Sequence, residues 1–208
     1  QGERAVKHRV MIIDDEQSVR DSLSAVLATY GFRTASCGNA HEALEMIRKS
    51  TPDCVVLDVR MPEIDGLALQ RMLAQAAANL PVIIITGHAD IAMAVQAMRN
   101  GASDFIEKPI DDEQLVASIQ AAIDQKRHAS RSGPDEKSLL ARLATLTERE
   151  RSVAEMVAEG YSSAAIAAAF SISVRTVDHH RASILAKMQA TSLPQLIRYL
   201  LRILPPKT

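Results

Sequence analysis

Three short runs of consecutive apolar residues, 10–13, 54–57 and 82–85, punctuate the first half of the chain. They are rich in β-branched side chains and lack polar alternation, the pattern of strands buried on both faces of a parallel sheet. Weaker strands fit residues 33–36 and 103–106. Between these runs the apolar positions recur at helical spacing. Val19, Leu23, Val26, Leu27 and Tyr30 form one stripe, Ala40, Ala43, Leu44 and Ile47 a second, and Leu115, Ile119 and Ile123 a third. Residues 91–100 add a helix carrying Ile91, Val95 and Met98. Strands alternating with helices over about 125 residues predict an α/β domain, doubly wound around a five-stranded parallel sheet.

The second half loses the strand pattern. Thr147 and Glu150 stand at capping-box spacing, followed by a stripe of Val153, Met156 and Val157 that Gly160 ends. Residues 162–170 read as a small-residue helix with Ile166 inward. A tight connection at 171–173 follows, and Ser173 is placed to cap a helix over 174–188 bearing Val177, Ile184, Leu185 and Met188. Two helices joined by a short turn predict an all-α helix-turn-helix unit. By periodicity alone, a three- or four-helix bundle with a solvated charged face fits as well.

Composition narrows the function classes. Aromatic residues make up 3% with no Trp, which leaves no stacking platform for single-stranded nucleic acid. No apolar run approaches the ~18–20 residues of a membrane span, so no membrane partner is expected, and with only two cysteines the chain reads as a reduced, cytoplasmic protein. Cys37 and Cys54 make no disulfide framework, and Cys54 reads as a small core residue. The net charge of −1 conceals an asymmetry. Residues 1–125 hold 11 Lys+Arg against 18 Asp+Glu, a net of −7, whereas 139–208 hold nine against five, a net of +4. Between them runs a polar stretch with Gly133-Pro134. The expected division is a domain over 1–126, a linker over 127–138 and a second domain over 139–208, with different partners.

In a doubly wound sheet, ligands bind beyond the carboxyl ends of the strands. Asp14-Asp15-Glu16, Asp58, Thr86-Gly87 and Lys108-Pro109 follow the first, third, fourth and fifth strands. Taken alone, Asp14-Asp15 reads equally as a helix N-cap pair, Thr86 as a strand-end hydroxyl and Lys108 as a solvated charge. Together they converge on one edge. Clustered carboxylates favour a hard cation such as Mg²⁺, and a neighbouring lysine suits a phosphoryl oxygen. A carboxylate can itself accept a phosphoryl group.

Met11-Ile12-Ile13-Asp14-Asp15-Glu16, Val56-Leu57-Asp58-Val59-Arg60-Met61-Pro62, Ile84-Ile85-Thr86-Gly87 and Phe105-Ile106-Glu107-Lys108-Pro109 resemble the receiver domain of two-component response regulators. The resemblance implies a flavodoxin-like fold with Asp58 as phosphoacceptor, charged by a sensor histidine kinase. It implies Mg²⁺ held by Asp14, Asp15, Asp58 and the backbone carbonyl of Arg60. It further implies that Lys108 grips the phosphoryl group, with a cis Lys108–Pro109 bond, and that Thr86 and Phe105 switch. Arg60 and His88 flank that site. Leu146-Thr147-Glu148-Arg149-Glu150, Ile166-Ala167 and 173–181 with Lys187-Met188 are similar to the LuxR/FixJ-type DNA-binding domain. The whole chain most resembles the FixJ subfamily. That resemblance implies a recognition helix over 174–188, with Arg175, Thr176, Asp178, His179, Arg181 and Lys187 as contacts to double-stranded promoter DNA. Asp178 stands where the wider LuxR group commonly has Lys, and Ser163 where it has Asn. The expected partners also include RNA polymerase and, on phosphorylation, a second copy of the chain.

Three competing readings remain at this point. A metal-dependent phosphatase of the aspartyl-nucleophile type needs a carboxylate two residues after the nucleophile, where this chain has Arg60. A ligand-sensing LuxR-type regulator needs an apolar sensor pocket in place of the acidic edge. An RNA-binding output gains nothing from so few aromatics. A regulator that turns over no external substrate is the expectation.

Overall fold

A computed structural model of the chain describes residues 8–62, 64–77, 79–87, 91–127 and 134–204. The elements are β1 (Arg9–Ile13), α1 (Gln17–Thr29), β2 (Arg33–Cys37), α2 (Ala40–Lys49), β3 (Cys54–Asp58) and α3 (Gly66–Ala76). They continue with β4 (Val82–Thr86), α4 (Ile91–Arg99), β5 (Asp104–Glu107) and α5 (Asp112–Arg127). The purely helical part holds α6 (Glu136–Leu143), α7 (Glu148–Glu159), α8 (Ser163–Phe170), α9 (Val174–Met188) and α10 (Leu193–Ile203). By contact they form two compact units, with α4 grouped with α6–α10 and the remaining α/β elements together.

In the α/β unit the five strands form one parallel sheet in the order β2-β1-β3-β4-β5. Every residue of β3 and β4 is buried, as their unbroken apolar runs require, whereas edge strand β2 keeps polar residues outward. Val10, Ile12, Val56, Ile83 and Ile85 pack with Leu23 and Leu27 of α1 and Leu115 and Ile119 of α5. Each such side chain contributes about 1.5–3 kcal/mol when fully removed from water. Burial pushes the Cys54 thiol up to about 12 and the Cys37 thiol up to about 11, so both remain neutral core groups. The strand order reverses between β1 and β3, which puts the crevice for a ligand at the ends of those two strands.

One glycine lets α3 start close against the end of β3. Asp65 caps α3 by accepting from the Leu67 amide, which turns the chain sharply at Gly66. A Cβ at Gly66 would lie 2.5 Å from the Asp58 carbonyl oxygen and 2.6 Å from Val59 Cα. Only hydrogen fits between the start of α3 and the end of β3.

The helical unit follows its capping signals. Thr147 and Glu150 form a reciprocal capping box, Gly160 closes α7 at φ 95°, and Ser162 and Ser173 cap α8 and α9. Three residues join α8 to α9, giving the helix-turn-helix. Two helices lie outside the sequence reading. In α6 only Leu139 and Leu143 are buried, too few to register as a period. In α10, capped by Ser192, the buried face of Leu196, Ile197, Leu200 and Ile203 follows Pro194 directly. The expected linker over 127–138 overlaps structure at both ends. Arg127 closes α5, and Asp135 caps α6 by accepting from the Ser138 amide at 2.7 Å. Residues 128–133 of that linker lie outside the described residues. Among the described residues no helix is long and apolar enough to cross a membrane.

Gly66→Ala is expected to lower the stability of the α/β unit by about 1–3 kcal/mol, the usual cost of overpacking. Thermal melts of the two proteins check this; an unchanged melting temperature would mean that α3 shifts freely away from Asp58.

Candidate functional site

Two buried carboxylates and one ammonium meet at the strand reversal. Asp14, directly after β1, is fully buried, and Asp58, at the end of β3, is 4% exposed. Lys108 follows β5, and its backbone amide donates to the Thr86 carbonyl at 2.8 Å. That hydrogen bond carries its side chain over the strand ends. Its Nζ lies 3.1 Å from Asp14 Oδ2 and 3.1 Å from Asp58 Oδ1. The remaining carboxylate oxygens accept from the backbone: Asp14 Oδ1 from the Glu16 amide and Asp58 Oδ2 from the Arg60 amide, both at 2.9 Å. The capping alternative for Asp14-Asp15 fails, because the N-cap of α1 is Glu16, whose side chain makes no cap hydrogen bond.

The electrostatics follow from burial. Burial pushes the Asp58 carboxyl above its ordinary value, against the hydrogen bond and charge of Lys108. Burial also works against the Lys108 charge, but its hydrogen bonds to Asp58 and Asp14 outweigh that and hold it above the usual lysine range. Two carboxylates against one ammonium leave the centre short of positive charge. Its all-oxygen donor set fits a hard divalent cation. Among the described residues no three ligating side chains are drawn together, and Asp15 stands exposed on its loop.

Thr86 is fully buried at the end of β4, and Phe105 is buried in β5, paired with Ile84. The Lys108–Pro109 bond is cis. His88 lies outside the described residues. The sequence reading passes over Arg20. Its Nη1 donates to the carbonyls of Asp14 at 2.7 Å and Asp15 at 3.0 Å, tying the acidic loop to α1. An arginine six residues after a buried aspartate, at the first turn of a helix, is the signal that points to it.

In the helical unit, α9 turns Val177, Ile184 and Met188 inward and leaves Arg175, Thr176, Asp178, His179, Ala182 and Ala186 exposed. Lys187, expected near the DNA backbone, makes an ion pair within the unit. Its Nζ lies 2.7 Å from Oε2 of Glu150, a buried residue of α7. Ser183 donates to Glu150 Oε1 at 2.6 Å, and the Thr147 amide donates to Oε2 at 2.8 Å. Glu150 thus serves both the capping box and the seating of α9, a second role that sequence spacing does not reveal. Arg181 is likewise turned inward, with its Nη1 donating to Ser163 Oγ at 2.8 Å.

A parallel doubly wound unit with a carboxylate–lysine centre, joined in one chain to a helix-turn-helix, defines a receiver-type signalling protein with a nucleic-acid output. Comparison with known proteins agrees. Residues 10–120 match the response regulator receiver domain, and residues 144–200 match the bacterial regulatory proteins of the luxR family. The transcriptional regulatory protein FixJ of Bradyrhizobium diazoefficiens is 40% identical over 196 residues, 94% of this chain and 96% of that protein. The crystal structure of full-length FixJ from B. japonicum is similar at a TM-score of 0.56 and 40% identity, covering 94% of this chain and 97% of that one. The solution structure of the beryllofluoride-activated NtrC4 receiver domain dimer is similar at 0.55 and 35% identity, covering 57% and 98%. This chain belongs to the FixJ subfamily of response regulators: it is a phosphorylation-activated transcriptional regulator, not an enzyme with an external substrate. Its pair of domains implies a kinase upstream and promoter DNA as target, and receiver domains depend on Mg²⁺ for phosphorylation.

The hydrogen bonds from Lys187, Ser183 and the Thr147 amide hold the Glu150 carboxyl down to about 2, against 4.5 ordinarily. A depressed carboxyl stabilises the fold above its unfolded value and loses that contribution as it is protonated. Glu150→Gln is therefore expected to destabilise the helical unit by about 1–3 kcal/mol at neutral pH. The gap to wild type narrows as pH falls from 4.5 towards 2. Melting curves across that range check this, and a gap independent of pH would refute it.

Proposed function

We propose that Asp58 is the phosphoryl acceptor of this regulator, and the observation that carries the reading is the Lys108 ammonium shared by two buried carboxylates. An Asp58 carboxylate oxygen attacks the phosphorus of a histidine kinase's phosphohistidine. The P–N bond breaks, the imidazole leaves, and an aspartyl phosphate forms. The Arg60 amide, bonded to Asp58 Oδ2, fixes the carboxylate's rotation during attack. Lys108 is placed to follow a phosphoryl oxygen, because it already stands at Asp58 Oδ1. Asp14, Asp15, Asp58 and the Arg60 carbonyl would hold Mg²⁺, which when bound offsets the charge on the carboxylates and the phosphoryl group.

Thr86 then turns its hydroxyl towards the new phosphoryl oxygens, and Phe105 takes up the space behind it. Phosphorylation brings about 1.5–2 negative charges, sufficient to rearrange such a packed pair. In this reading residues 1–126 receive the signal, 127–138 join the parts, and 139–208 bind DNA in the cytoplasm. Phosphorylation favours a homodimer, a state that the similar activated NtrC4 receiver also adopts. Two linked recognition helices then engage a two-fold promoter site and present the protein to RNA polymerase. In this reading Arg175, Thr176 and His179 of α9 touch DNA directly and Asp178 accepts from a base edge, which their exposure on the helix supports. Arg181 and Lys187, turned inward, support the helix from behind.

Incubation with acetyl phosphate and Mg²⁺ is expected to add one phosphoryl mass to the wild type and none to Asp58→Asn. Intact-mass spectrometry reads the result; gain by both, or by neither, would remove Asp58 from this role. Sedimentation under the same conditions should show the dimer only in the phosphorylated wild type. Mobility shifts over 50–200 mM salt should show affinity falling about 10³-fold or more if a dimer neutralises six phosphates, and a flat response would count against backbone contacts.

A further inference from the structure

Three side chains tie α8 to α9 at the edge of the recognition face. Arg181 Nη1 donates to Ser163 Oγ at 2.8 Å and lies 3.6 Å from Asp178 Oδ1. Ser163 Oγ donates in turn to Asp178 Oδ1 at 3.2 Å. The side chain of Arg181 is 23% exposed and that of Asp178 57% exposed. Arg181 Nε is buried and has no hydrogen-bond partner among the described residues, so the guanidinium is wedged between helices instead of extended to solvent.

An exposed carboxylate on a helix that approaches DNA has two liabilities. It repels phosphates, and it rotates freely among acceptor geometries. The Ser163–Arg181 arrangement answers both: it places a cation behind Asp178 and fixes one of its oxygens. The other oxygen remains to accept from an exocyclic amine, on cytosine N4 or adenine N6, in the major groove. We propose that Arg181 and Ser163 are positioning residues that hold Asp178 as a base-reading acceptor, and that Arg181 itself contacts neither phosphate nor base. The inference rests on the DNA-binding reading above and assigns specificity within it.

The test uses full-length protein treated with acetyl phosphate and Mg²⁺. The probe is a pool of duplexes with about 20 randomised base pairs, long enough for two half-sites. Asp178→Ala locates the base pair that Asp178 reads, where discrimination should fall about tenfold. Arg181→Ala and Ser163→Ala should lose discrimination at that same pair, and Arg181→Ala combined with Asp178→Ala should be no worse there than Asp178→Ala alone. The slope of log affinity against log salt should not change in Arg181→Ala, because no phosphate contact is lost. Arg181→Lys should recover part of the discrimination. Ser163→Ala removes only a hydroxyl and carries the test if Arg181→Ala does not fold. A salt slope reduced by about 1 in Arg181→Ala, with discrimination intact, would make Arg181 a phosphate contact and sink the inference alone. Loss at a different base pair would make it a direct reader, with the same consequence. Failure of the wild type to enrich any duplex would overturn the DNA-binding reading and this inference with it.

Discussion

The Lys108 ammonium between Asp14 and Asp58 is the contact on which the α/β unit's chemistry depends. Parallel strands deliver their carboxyl ends to one edge, and two of those ends carry buried carboxylates. An unpaired buried charge costs several kcal/mol, and Lys108 is the partner that both carboxylates share. Lys108 reaches them because its own amide is anchored to the Thr86 carbonyl. The same hydrogen bond links the lysine to the hydroxyl-bearing residue next to the centre. One ammonium against two carboxylates leaves the crevice short of positive charge.

The helical unit handles charge in another way. Glu150 is buried, yet each of its oxygens accepts hydrogen bonds, from Lys187, Ser183 and the Thr147 amide. That closed set leaves nothing for a ligand and serves to seat α9 against α7. The exposed face of α9 is left with mixed chemistry, Arg175 and His179 beside Asp178. Such a face carries hydrogen-bond donors and an acceptor side by side. The acidic unit and the basic unit together account for a net charge near zero that by itself suggests no nucleic-acid partner.

Much of the fold was legible because its signals are local. Unbroken apolar runs marked the three central strands to within a residue, and Ser173 and the 174–188 stripe marked α9 to the residue. Asp14, Asp58, Thr86 and Lys108 were legible because each follows a strand, and parallel topology brings such ends together. What escaped notice has weak local signals. Two leucines are too few to announce α6, and Gly66 matters only because the backbone of Asp58 passes 2.5 Å from where its Cβ would stand. Arg20 acts through backbone carbonyls, which no residue type reveals.

The period of each element, its caps, and the residue types at the strand ends and on α9 follow from the local order of residues. Periodicity and capping act over three to seven residues and need no knowledge of the rest of the chain. Which charges meet follows from packing. Lys187 and Arg181, both read as cations for DNA, each have a partner within the chain, Glu150 thirty-seven positions away and Ser163 eighteen away. A charged side chain is an equally good partner for a phosphate or a carboxylate. Which it takes depends on how close helix packing brings the competing oxygen, and that distance is a property of the folded chain alone.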